Sequence, residues 1–440
     1  MNPNSRFPLA DRPRLWGTSV SHYQVEGNDA CDWSEWERAG RTRGEPCGTA
    51  VGSWERYESD ADLALAAGSN AFRFSVSWSR VEPRFDHFDD TALARYRRLV
   101  DHLIANDLEP IVTLFHYTHP LWFHERTPWT SPRSVDRFAA FAARVADALG
   151  SGVRIWTPLN EPLVFLLAAY FDGQIPPGLA DGRLLQKVFD HLLLAHCAAA
   201  SAIRDRLPNA SIGIAHNMVA FAPERRGNFL DRTLARVAHR CYNRGLIEAF
   251  ASGRWDFLLP PTTRLRGRRD ELTRSLDFFG VNFYSRLHLR CPGKERLLGE
   301  FHYRDASGRG LTDNGWEIVP EELERLLVEA SSVGLPLIVS ENGIADGADR
   351  MRADFIADHA AAIARAESRG ISVSGYLYWS LLDNYEWLDG FGPKFGLYAV
   401  DRLTMARSPR RSVETFRRTG EEFLRRPLEQ RSASATPNFP

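Results

Sequence analysis

The chain alternates short apolar segments with longer stretches in which apolar residues recur every three or four positions. Eight segments are nearly continuous runs of apolar and β-branched residues, which is typical of strands buried on both faces. They span residues 15–21, 71–78, 109–116, 154–161, 211–218, 278–285, 336–343 and 375–382. A segment with helical periodicity follows each of them, around residues 54–67, 91–107, 131–150, 184–207, 229–251, 321–333, 353–369 and 412–425.

The segment 91–107 illustrates the helical pattern. It follows two possible N-cap residues, Asp89 and Asp90, and its apolar residues share one helix face: Leu93, Tyr96, Leu99, Val100, Leu103 and Ile104. Eight strands that alternate with eight helices predict an α/β fold, a single closed (β/α)₈ TIM barrel. An open doubly wound sheet would carry a glycine-rich phosphate turn after its first strand, and this sequence has none there.

The pattern also predicts the domain organisation. Neither an internal repeat nor a Ser/Gly-rich linker divides the chain, so residues 1–426 are expected to form one catalytic domain. The stretch 427–440 is polar and contains proline, which predicts a disordered C-terminal tail.

Composition and charge exclude several classes of partner. The 440 residues include 55 Lys and Arg against 56 Asp and Glu, so the formal net charge is -1 and nothing favours nucleic acid or an anionic membrane. The five cysteines are widely spaced without a C-x-x-C motif, and no apolar run has the length of a membrane span. These features favour a reducing compartment and predict a cytoplasmic protein.

Candidate chemistry lies where the predicted strands end, because the carboxyl ends of barrel strands form the active site in this fold. Strand four ends in Asn160-Glu161-Pro162 and strand seven in Ser340-Glu341-Asn342-Gly343, so two carboxylates should face each other across the barrel mouth. Polar and aromatic residues occupy the other strands, their ends and the following turns: Gln24, Arg73, His116, Asn282, Tyr284, Trp379, Glu386 and Trp387. Carboxylates, amides and indole rings together suit a neutral polyol such as a sugar.

Six motifs carry a resemblance to a known family. They are Gln24-Val25-Glu26-Gly27, Phe72-Arg73-Phe74-Ser75 with Trp78-Ser79-Arg80, Thr157-Pro158-Leu159-Asn160-Glu161-Pro162, Gly280-Val281-Asn282-Phe283-Tyr284, Ser340-Glu341-Asn342-Gly343, and the run from Trp379 to Trp387. In this order they span nearly the whole chain. The sequence resembles glycoside hydrolase family 1, the retaining β-glucosidases and β-galactosidases with a (β/α)₈ barrel.

The resemblance implies a role for each candidate residue. Glu161 would be the acid/base and Glu341 the nucleophile that forms a covalent glycosyl-enzyme, with the two carboxyl groups about 5–5.5 Å apart. Arg73 and Tyr284 would hold Glu341, and Asn160 would bind the sugar 2-hydroxyl. The other hydroxyls would be held by Gln24, His116, Asn282, Trp379, Glu386 and Trp387.

The expected activity is hydrolysis of terminal non-reducing β-D-glucosyl residues, and also of β-galactosyl or β-fucosyl residues. Small β-glycosides or short oligosaccharides are the expected partners, with transfer of the glycosyl group to an acceptor alcohol as a further outcome. Neither a metal nor an organic cofactor is expected: His116 and His119 are three residues apart, but no third ligand stands near them in the sequence. The preferred sugar, the natural aglycone and the oligomeric state stay open.

Departures from the family pattern concern the fine specificity and not the reaction, and two other functions stand beside the expected one. Tyr117-Thr118-His119-Pro120 stands where many members carry Trp-Asp-Leu-Pro, and Ser340 stands where Thr is usual. One alternative is a 6-phospho-β-glycosidase, for which only Lys394 speaks, because Glu386 would repel a phosphate dianion. The other is a non-catalytic carbohydrate-binding protein, which would be expected to lack one of the two glutamates.

Overall fold

The predicted barrel is present in the computed structural model, which describes residues 9, 12–259, 263–291 and 300–426. Eight parallel strands form a closed sheet in which each strand pairs with its neighbours in the chain and β1 pairs with both β2 and β8. The strands are β1 (Leu15–Ser19), β2 (Ala71–Ser75), β3 (Glu109–Phe115), β4 (Ile155–Leu159), β5 (Ser211–Asn217), β6 (Phe278–Asn282), β7 (Leu337–Asn342) and β8 (Val373–Trp379). All eight predicted strands are therefore confirmed, each within a few residues.

The α-helices of the described chain include all eight that the periodicity predicts. They are α1 (His22–Glu26), α2 (Asp32–Arg38), α3 (Ser53–Ala66), α4 (Trp78–Val81), α5 (Asp90–Ala105), α6 (Leu121–Arg126), α7 (Arg133–Leu149), α8 (Pro162–Leu166), α9 (Leu185–Arg206), α10 (Phe229–His239), α11 (Gly245–Ser252), α12 (Pro320–Ala330), α13 (Arg352–Ser368) and α14 (Ser412–Arg425). The segment predicted as one helix over 229–251 is divided into α10 and α11 by a π-helical turn at Arg240–Arg244. The short helices α1, α2, α4, α6 and α8 belong to loops at the barrel mouth and are too short for a periodic signal.

The remaining elements lie outside the barrel sheet. Short strands at Ala220–Pro223, Arg286–Arg290 and Glu300–His302 form a three-stranded sheet, and two antiparallel pairs join Arg254–Leu259 to Thr263–Arg268 and Tyr398–Val400 to Arg407–Pro409. A second π-helical turn occupies Leu167–Phe171, and 3₁₀ turns lie at Gly150–Gly152, Gly182–Leu184, Asp270–Arg274, Ser331–Val333 and Trp387–Asp389.

Helix α5 shows how far the local pattern determines the structure. Asp89 is its N-cap and accepts hydrogen bonds from the backbone N–H groups of Thr91 and Ala92. Five of the six residues predicted on its apolar face are buried, but Ile104 is 43% exposed and that assignment is wrong. Ile104 belongs to the last turn of the helix, at the edge of the apolar face.

One apolar layer fills the lower part of the barrel. Besides Leu9, which precedes β1, its members come from seven of the eight strands: Leu15, Ala71, Ile111, Ile155, Phe278, Ile338 and Leu377. Strand β5 contributes Gly213, where an added Cβ would lie 2.2 Å from the ring of Phe278. The missing side chain of Gly213 therefore makes room for the Phe278 ring within the barrel.

A polar layer lies directly above this apolar layer, because residues two apart on a strand share one face. Arg73 follows Ala71 in this way, Thr113 follows Ile111, and Ser340 follows Ile338. The apolar layer below shields these polar groups from water on one side, so their hydrogen bonds must be made with one another. The barrel thus places its polar side chains at the carboxyl ends of the strands.

Two predictions concern parts of the chain that this structure does not test. Residues 427–440, which are predicted to form a disordered tail, lie outside the described residues, and the single catalytic domain over 1–426 stays a prediction. Within the described ranges, none of the helices is both long and apolar enough to cross a membrane.

Candidate active site

Glu161 lies at the end of β4, in a sharp turn that begins helix α8. Its backbone is left-handed, with φ of 47°, and its N–H donates to the carbonyl oxygen of Ala215 on β5. Pro162 follows as the first residue of α8, where the lack of an N–H costs the helix no hydrogen bond. The turn holds the buried Glu161 side chain at the carboxyl end of the sheet.

Glu341 is the next-to-last residue of β7 and is also buried. A register irregularity between Val339 and Glu341 brings Glu341 opposite Asn282 on β6. Two side chains hold the Glu341 carboxylate: Nη1 of Arg73 lies 2.5 Å from Oε1, and the hydroxyl of Tyr284 donates to Oε2 over 2.7 Å. One carboxylate oxygen therefore faces a cation and the other a phenol.

Arg73 connects the two glutamate strands. Its guanidinium donates to Glu341 on β7 and, through Nη2, to Oδ1 of Asn160 at 2.6 Å, next to Glu161. It also donates to the hydroxyls of Ser19 and Thr113, both at 3.1 Å. Since the side chain is only 1% exposed, this full set of partners is what permits its burial.

Glu161 has hydrogen-bond donors but no ion-pair partner in the part of the chain that the structure describes. Its Oε1 accepts from Nδ2 of Asn282 at 2.8 Å and from Nδ2 of Asn217 at 3.1 Å, and its Oε2 accepts from the hydroxyl of Tyr117. Burial and the charge of Glu341 raise the pKa of Glu161 to about 7, although the three hydrogen bonds act in the opposite direction. Near neutral pH the Glu161 carboxyl group can therefore both give and take a proton.

Asn160 lies between the two glutamates. Its Oδ1 accepts from Arg73 and, over 3.2 Å, from Nδ2 of Asn282, while its Nδ2 lies 3.3 Å from Nε2 of His116. Both acceptor directions of Oδ1 are thus used, and the orientation of the amide is fixed by its neighbours.

The other predicted residues lie on the β1, β3 and β8 side of the mouth. Nε2 of Gln24 donates to Oε2 of Glu386 at 3.2 Å and to the backbone oxygen of Tyr385 at 2.8 Å. The ring of His116 is stacked between Trp379 and Trp387, with ring centroids 5.9 Å and 6.1 Å away. Burial and the charge of Glu341 raise the pKa of Glu386 to about 8. The surface that results combines amide, carboxyl and indole groups.

The structure brings together all eleven residues selected from the sequence, at the carboxyl ends of the barrel strands. Sequence reasoning missed two that contact Glu161, namely Tyr117 and Asn217. Asn217 is the last residue of β5, so a full reading of the strand ends would have found it. Tyr117 lies in a segment that departs from the family pattern, and this departure could have marked it as a residue of interest.

His119 lies beside residues that are distant from it in the sequence. Its Nδ1 lies 2.6 Å from Oδ2 of Asp32, and that oxygen also lies 3.4 Å from Nε2 of His124. The loops after β1 and β3 thus bring Asp32 and His124 close to His119, a grouping that the sequence did not suggest. The sequence distance of 87 residues between Asp32 and His119 explains why the pattern gave no sign of it.

A closed (β/α)₈ barrel with two buried glutamates at the ends of β4 and β7, and with amides and indole rings around them, is the architecture of a barrel enzyme for carbohydrates. Comparisons with known proteins agree with this class. The sequence profile of glycosyl hydrolase family 1 matches residues 7–421.

Individual relatives cover nearly the whole chain. A β-galactosidase of Pyrococcus woesei is 29% identical over 92% of this chain and 95% of its own. Among solved structures, a β-glycosidase from Pyrococcus horikoshii superposes with a TM-score of 0.84 at 32% identity and covers 96% of this chain and 97% of its own. A β-glucosidase from Thermotoga maritima in complex with glucoimidazole gives a TM-score of 0.85 at 26% identity, with 94% of this chain and 98% of its own covered.

The chain belongs to glycosyl hydrolase family 1. It is an O-glycosyl hydrolase of the β-glucosidase type.

Proposed function

We propose that this protein is a retaining β-glycosidase for terminal, non-reducing, unphosphorylated β-D-glucosyl residues, and also for β-galactosyl and β-fucosyl residues. Hydrolysis proceeds by double displacement through a covalent glycosyl-enzyme. Small β-glycosides and short oligosaccharides are its substrates, and an acceptor alcohol can replace water in the second step.

The unequal surroundings of the two glutamates carry this proposal. Glu341 is paired with the Arg73 cation and accepts a hydrogen bond from Tyr284, an arrangement that suits a carboxylate acting as the nucleophile. Burial and the negative charge of Glu341 raise the pKa of Glu161 to about 7, which favours the protonated form at neutral pH. A retaining glycosidase needs this division between an ionised nucleophile and a protonated acid.

In the first step, a carboxylate oxygen of Glu341 forms a bond to the anomeric carbon. The bond from that carbon to the aglycone oxygen breaks, and Glu161 gives its proton to the leaving oxygen. Once Glu161 is ionised and Glu341 is esterified, water attacks the anomeric carbon, Glu161 takes the proton from the water, and the ester bond to Glu341 breaks. Both glutamates end in their starting protonation states.

Asn160 and Asn282 are proposed to orient the sugar relative to the two glutamates. The Asn160 amide is fixed by Arg73 and Asn282, which leaves its Nδ2 group on the side of His116, where it can bind the sugar 2-hydroxyl. A contact to that hydroxyl strengthens as charge develops in the transition state, so it contributes to catalysis rather than to binding alone. Tyr117 and Asn217 are proposed as positioning residues for Glu161.

The remaining sugar hydroxyls are proposed to contact Gln24, His116 and Glu386, with Trp379 and Trp387 beside the sugar ring. Gln24 and Glu386 are hydrogen-bonded to each other and together offer a donor and an acceptor pair to adjacent hydroxyls. The raised pKa of Glu386 means that a further negative charge at this place is unfavourable. This supports an unphosphorylated sugar over a 6-phosphate.

The test is mass spectrometry of the protein after incubation with 2,4-dinitrophenyl 2-deoxy-2-fluoro-β-D-glucoside. The fluorine slows both steps and the good leaving group speeds the first, so the glycosyl-enzyme accumulates. We expect one fluoroglucosyl group per chain, on the peptide that contains Glu341. An adduct on the peptide with Glu161 would reverse the two roles.

Parallel incubations separate the alternatives. The corresponding galactoside is expected to label Glu341 as well, whereas the 6-phospho-glucoside is expected to leave the protein unmodified. Labelling by the 6-phospho-glucoside alone would make the protein a 6-phospho-β-glycosidase. A folded protein that no analogue labels would be a carbohydrate-binding protein.

A further inference from the structure

Asp32, His119 and His124 form a cluster on the barrel face, separate from the glutamate pair. Asp32 is the first residue of α2, His119 lies in the loop after β3, and His124 lies in α6. One potential ligand atom from each of the three lies within 4.8 Å of the other two. The Asp32 atom is Oδ2, which lies 2.6 Å from Nδ1 of His119 and 3.4 Å from Nε2 of His124.

The His119 ring is buried beside the Asp32 carboxylate. The residue is 0% exposed, its Nδ1 lies 2.6 Å from Oδ2 of Asp32, and its Nε2 has no hydrogen-bond partner within the described ranges. Apolar rings surround it: the imidazole is stacked on Phe123 at 4.7 Å and packs against Phe115 and Phe165. The contact between Nδ1 and Asp32 holds the imidazole in these apolar surroundings, and a cation can replace the proton that the two groups share.

The Asp32 carboxylate is fixed in the orientation that a ligand site needs. Its Oδ1 accepts from the backbone N–H groups of Trp33 and His119, both at 2.9 Å. The Asp32 N–H in turn donates to the carbonyl oxygen of His119 at 3.1 Å, which holds the two loops together. Oδ2 is therefore left to face the two imidazoles, in the way that outer hydrogen bonds orient a metal-ligating carboxylate.

We propose that Oδ2 of Asp32, Nδ1 of His119 and Nε2 of His124 bind one divalent transition-metal ion of the Zn²⁺ type, with water in the remaining coordination position. Two imidazoles and one carboxylate are ligands that Zn²⁺ accepts readily, whereas Mg²⁺ and Ca²⁺ prefer all-oxygen sites. The His124 side chain is 27% exposed, so the ion and its water can enter from solvent.

The bound ion has a structural role. It joins α2 to the loop that carries His116 and Tyr117, which are three and two residues before His119 in the sequence. Trp33, the neighbour of Asp32, packs against Trp387 with ring centroids 4.7 Å apart, so the cross-link also supports the aromatic wall of the sugar site. The ion does not contact either glutamate and takes no part in the bond-breaking steps.

The experiment uses the full chain without an affinity tag, stripped with EDTA and dialysed into metal-free buffer. ZnCl₂ is titrated by calorimetry, Co²⁺ by visible absorption, and thermal unfolding is followed with and without Zn²⁺. We expect one Zn²⁺ per chain with a Kd of about 1 μM or below, a tetrahedral Co²⁺ spectrum, and a rise in Tm of about 2–4 °C at saturation.

Variants assign the site. His124→Ala changes a partly exposed residue and is expected to fold. His119→Leu fills the apolar pocket of the His119 ring without a ligand atom. Each variant should weaken Zn²⁺ binding at least about tenfold and remove the rise in Tm. His102→Ala is the matched control, because His102 is also 27% exposed and lies 2.7 Å from a carboxylate, that of Asp62. Its Zn²⁺ affinity should equal that of the parent protein.

The proposal is overturned if the parent protein binds no Zn²⁺ at 100 μM. It is equally overturned if His124→Ala and His119→Leu bind Zn²⁺ with the parent affinity. Neither result depends on glycosidase activity, so a failure of the proposed hydrolysis would leave the conclusion about the metal unaffected.

Discussion

Arg73 forms a buried ion pair with Glu341, whereas Glu161 has no cationic partner among the described residues. The two glutamates lie at the same barrel mouth but in different electrostatic surroundings. Arg73 faces the Glu341 carboxylate, whereas burial and then the negative charge of Glu341 raise the pKa of Glu161. Each role in the proposed mechanism follows from this arrangement.

The first prediction concerns the nucleophile. Glu341→Gly removes the group that is proposed to attack the anomeric carbon, so the rate with an aryl β-glucoside should fall by roughly 10⁴-fold or more. Added azide should restore turnover from the vacated side and give the α-glycosyl azide, which NMR of the product identifies.

Glu161→Gly is the companion variant for this prediction. With an activated leaving group it should still form the glycosyl-enzyme, and azide should then give the β-glycosyl azide. If the two variants exchange their products, the acid/base and the nucleophile have been assigned the wrong way round.

The second prediction is the alkaline limb of the pH profile. Glu161 must carry a proton to act as an acid, and burial with the charge of Glu341 raises its pKa to about 7 in the free enzyme. A plot of kcat/KM against pH should therefore fall about tenfold per pH unit above roughly pH 7. A profile that stays flat to pH 9 in kcat/KM would exclude Glu161 as the acid.

The third prediction concerns Tyr117. Its hydroxyl donates to Oε2 of Glu161, and such a bond to a carboxylate stabilises the ionised form and lowers the pKa. In Tyr117→Phe the pKa of Glu161 should rise, so the alkaline limb should move to higher pH by about one unit. We also expect kcat to fall about three- to tenfold because the carboxyl group is oriented less well.

Tyr398→Phe is the control for the loss of a phenol hydroxyl. Tyr398 donates to the backbone oxygen of Leu63, outside the site, and its removal should leave the pH profile unchanged. An unchanged alkaline limb in Tyr117→Phe, measured beside this control, would mean that the hydroxyl does not act on Glu161.

The fourth prediction is a pH-dependent effect of Glu386→Gln on stability. Burial and neighbouring charges raise the pKa of Glu386 from 4.5 to about 8 in the folded state. Between these values the folded protein holds a proton that the unfolded chain has lost, so the contribution of Glu386 to stability falls as the pH rises from about 4.5 through 8.

Gln has no proton to lose. The difference obtained by subtracting the Tm of the parent from the Tm of Glu386→Gln should therefore be about 3 °C larger at pH 8.5 than at pH 4.5. Differential scanning fluorimetry at the two pH values measures this difference. Glu55→Gln, at an exposed glutamate of α3, should show no such trend. Equal trends in both variants would refute the assignment to Glu386.

Much of the site could be read from the sequence because barrel topology converts a strand end into a position in space. Asn160, Glu161 and Glu341 were found in this way, and the same survey of the strands selected Arg73 within β2. The same rule explains the omission of Asn217, which ends β5 but lies in no motif that was recognised.

Contacts between loops could not be predicted. The hydroxyl of Tyr117 reaches Glu161 across 44 residues, and Asp32 reaches His119 across 87, through loops that have no periodic pattern. Such contacts depend on how each loop closes over the barrel, which local propensity does not determine.

The sequence by itself determined the order of strands and helices, the closed barrel and the set of side chains at its mouth, because hydrophobic periodicity and strand ends are local properties of the chain. The tertiary structure alone decided which of these side chains share hydrogen bonds and charges. The pairing of Arg73 with Glu341, the raised pKa of Glu161 and the meeting of Asp32 with two histidines all arise from burial and distance, which depend on the whole fold.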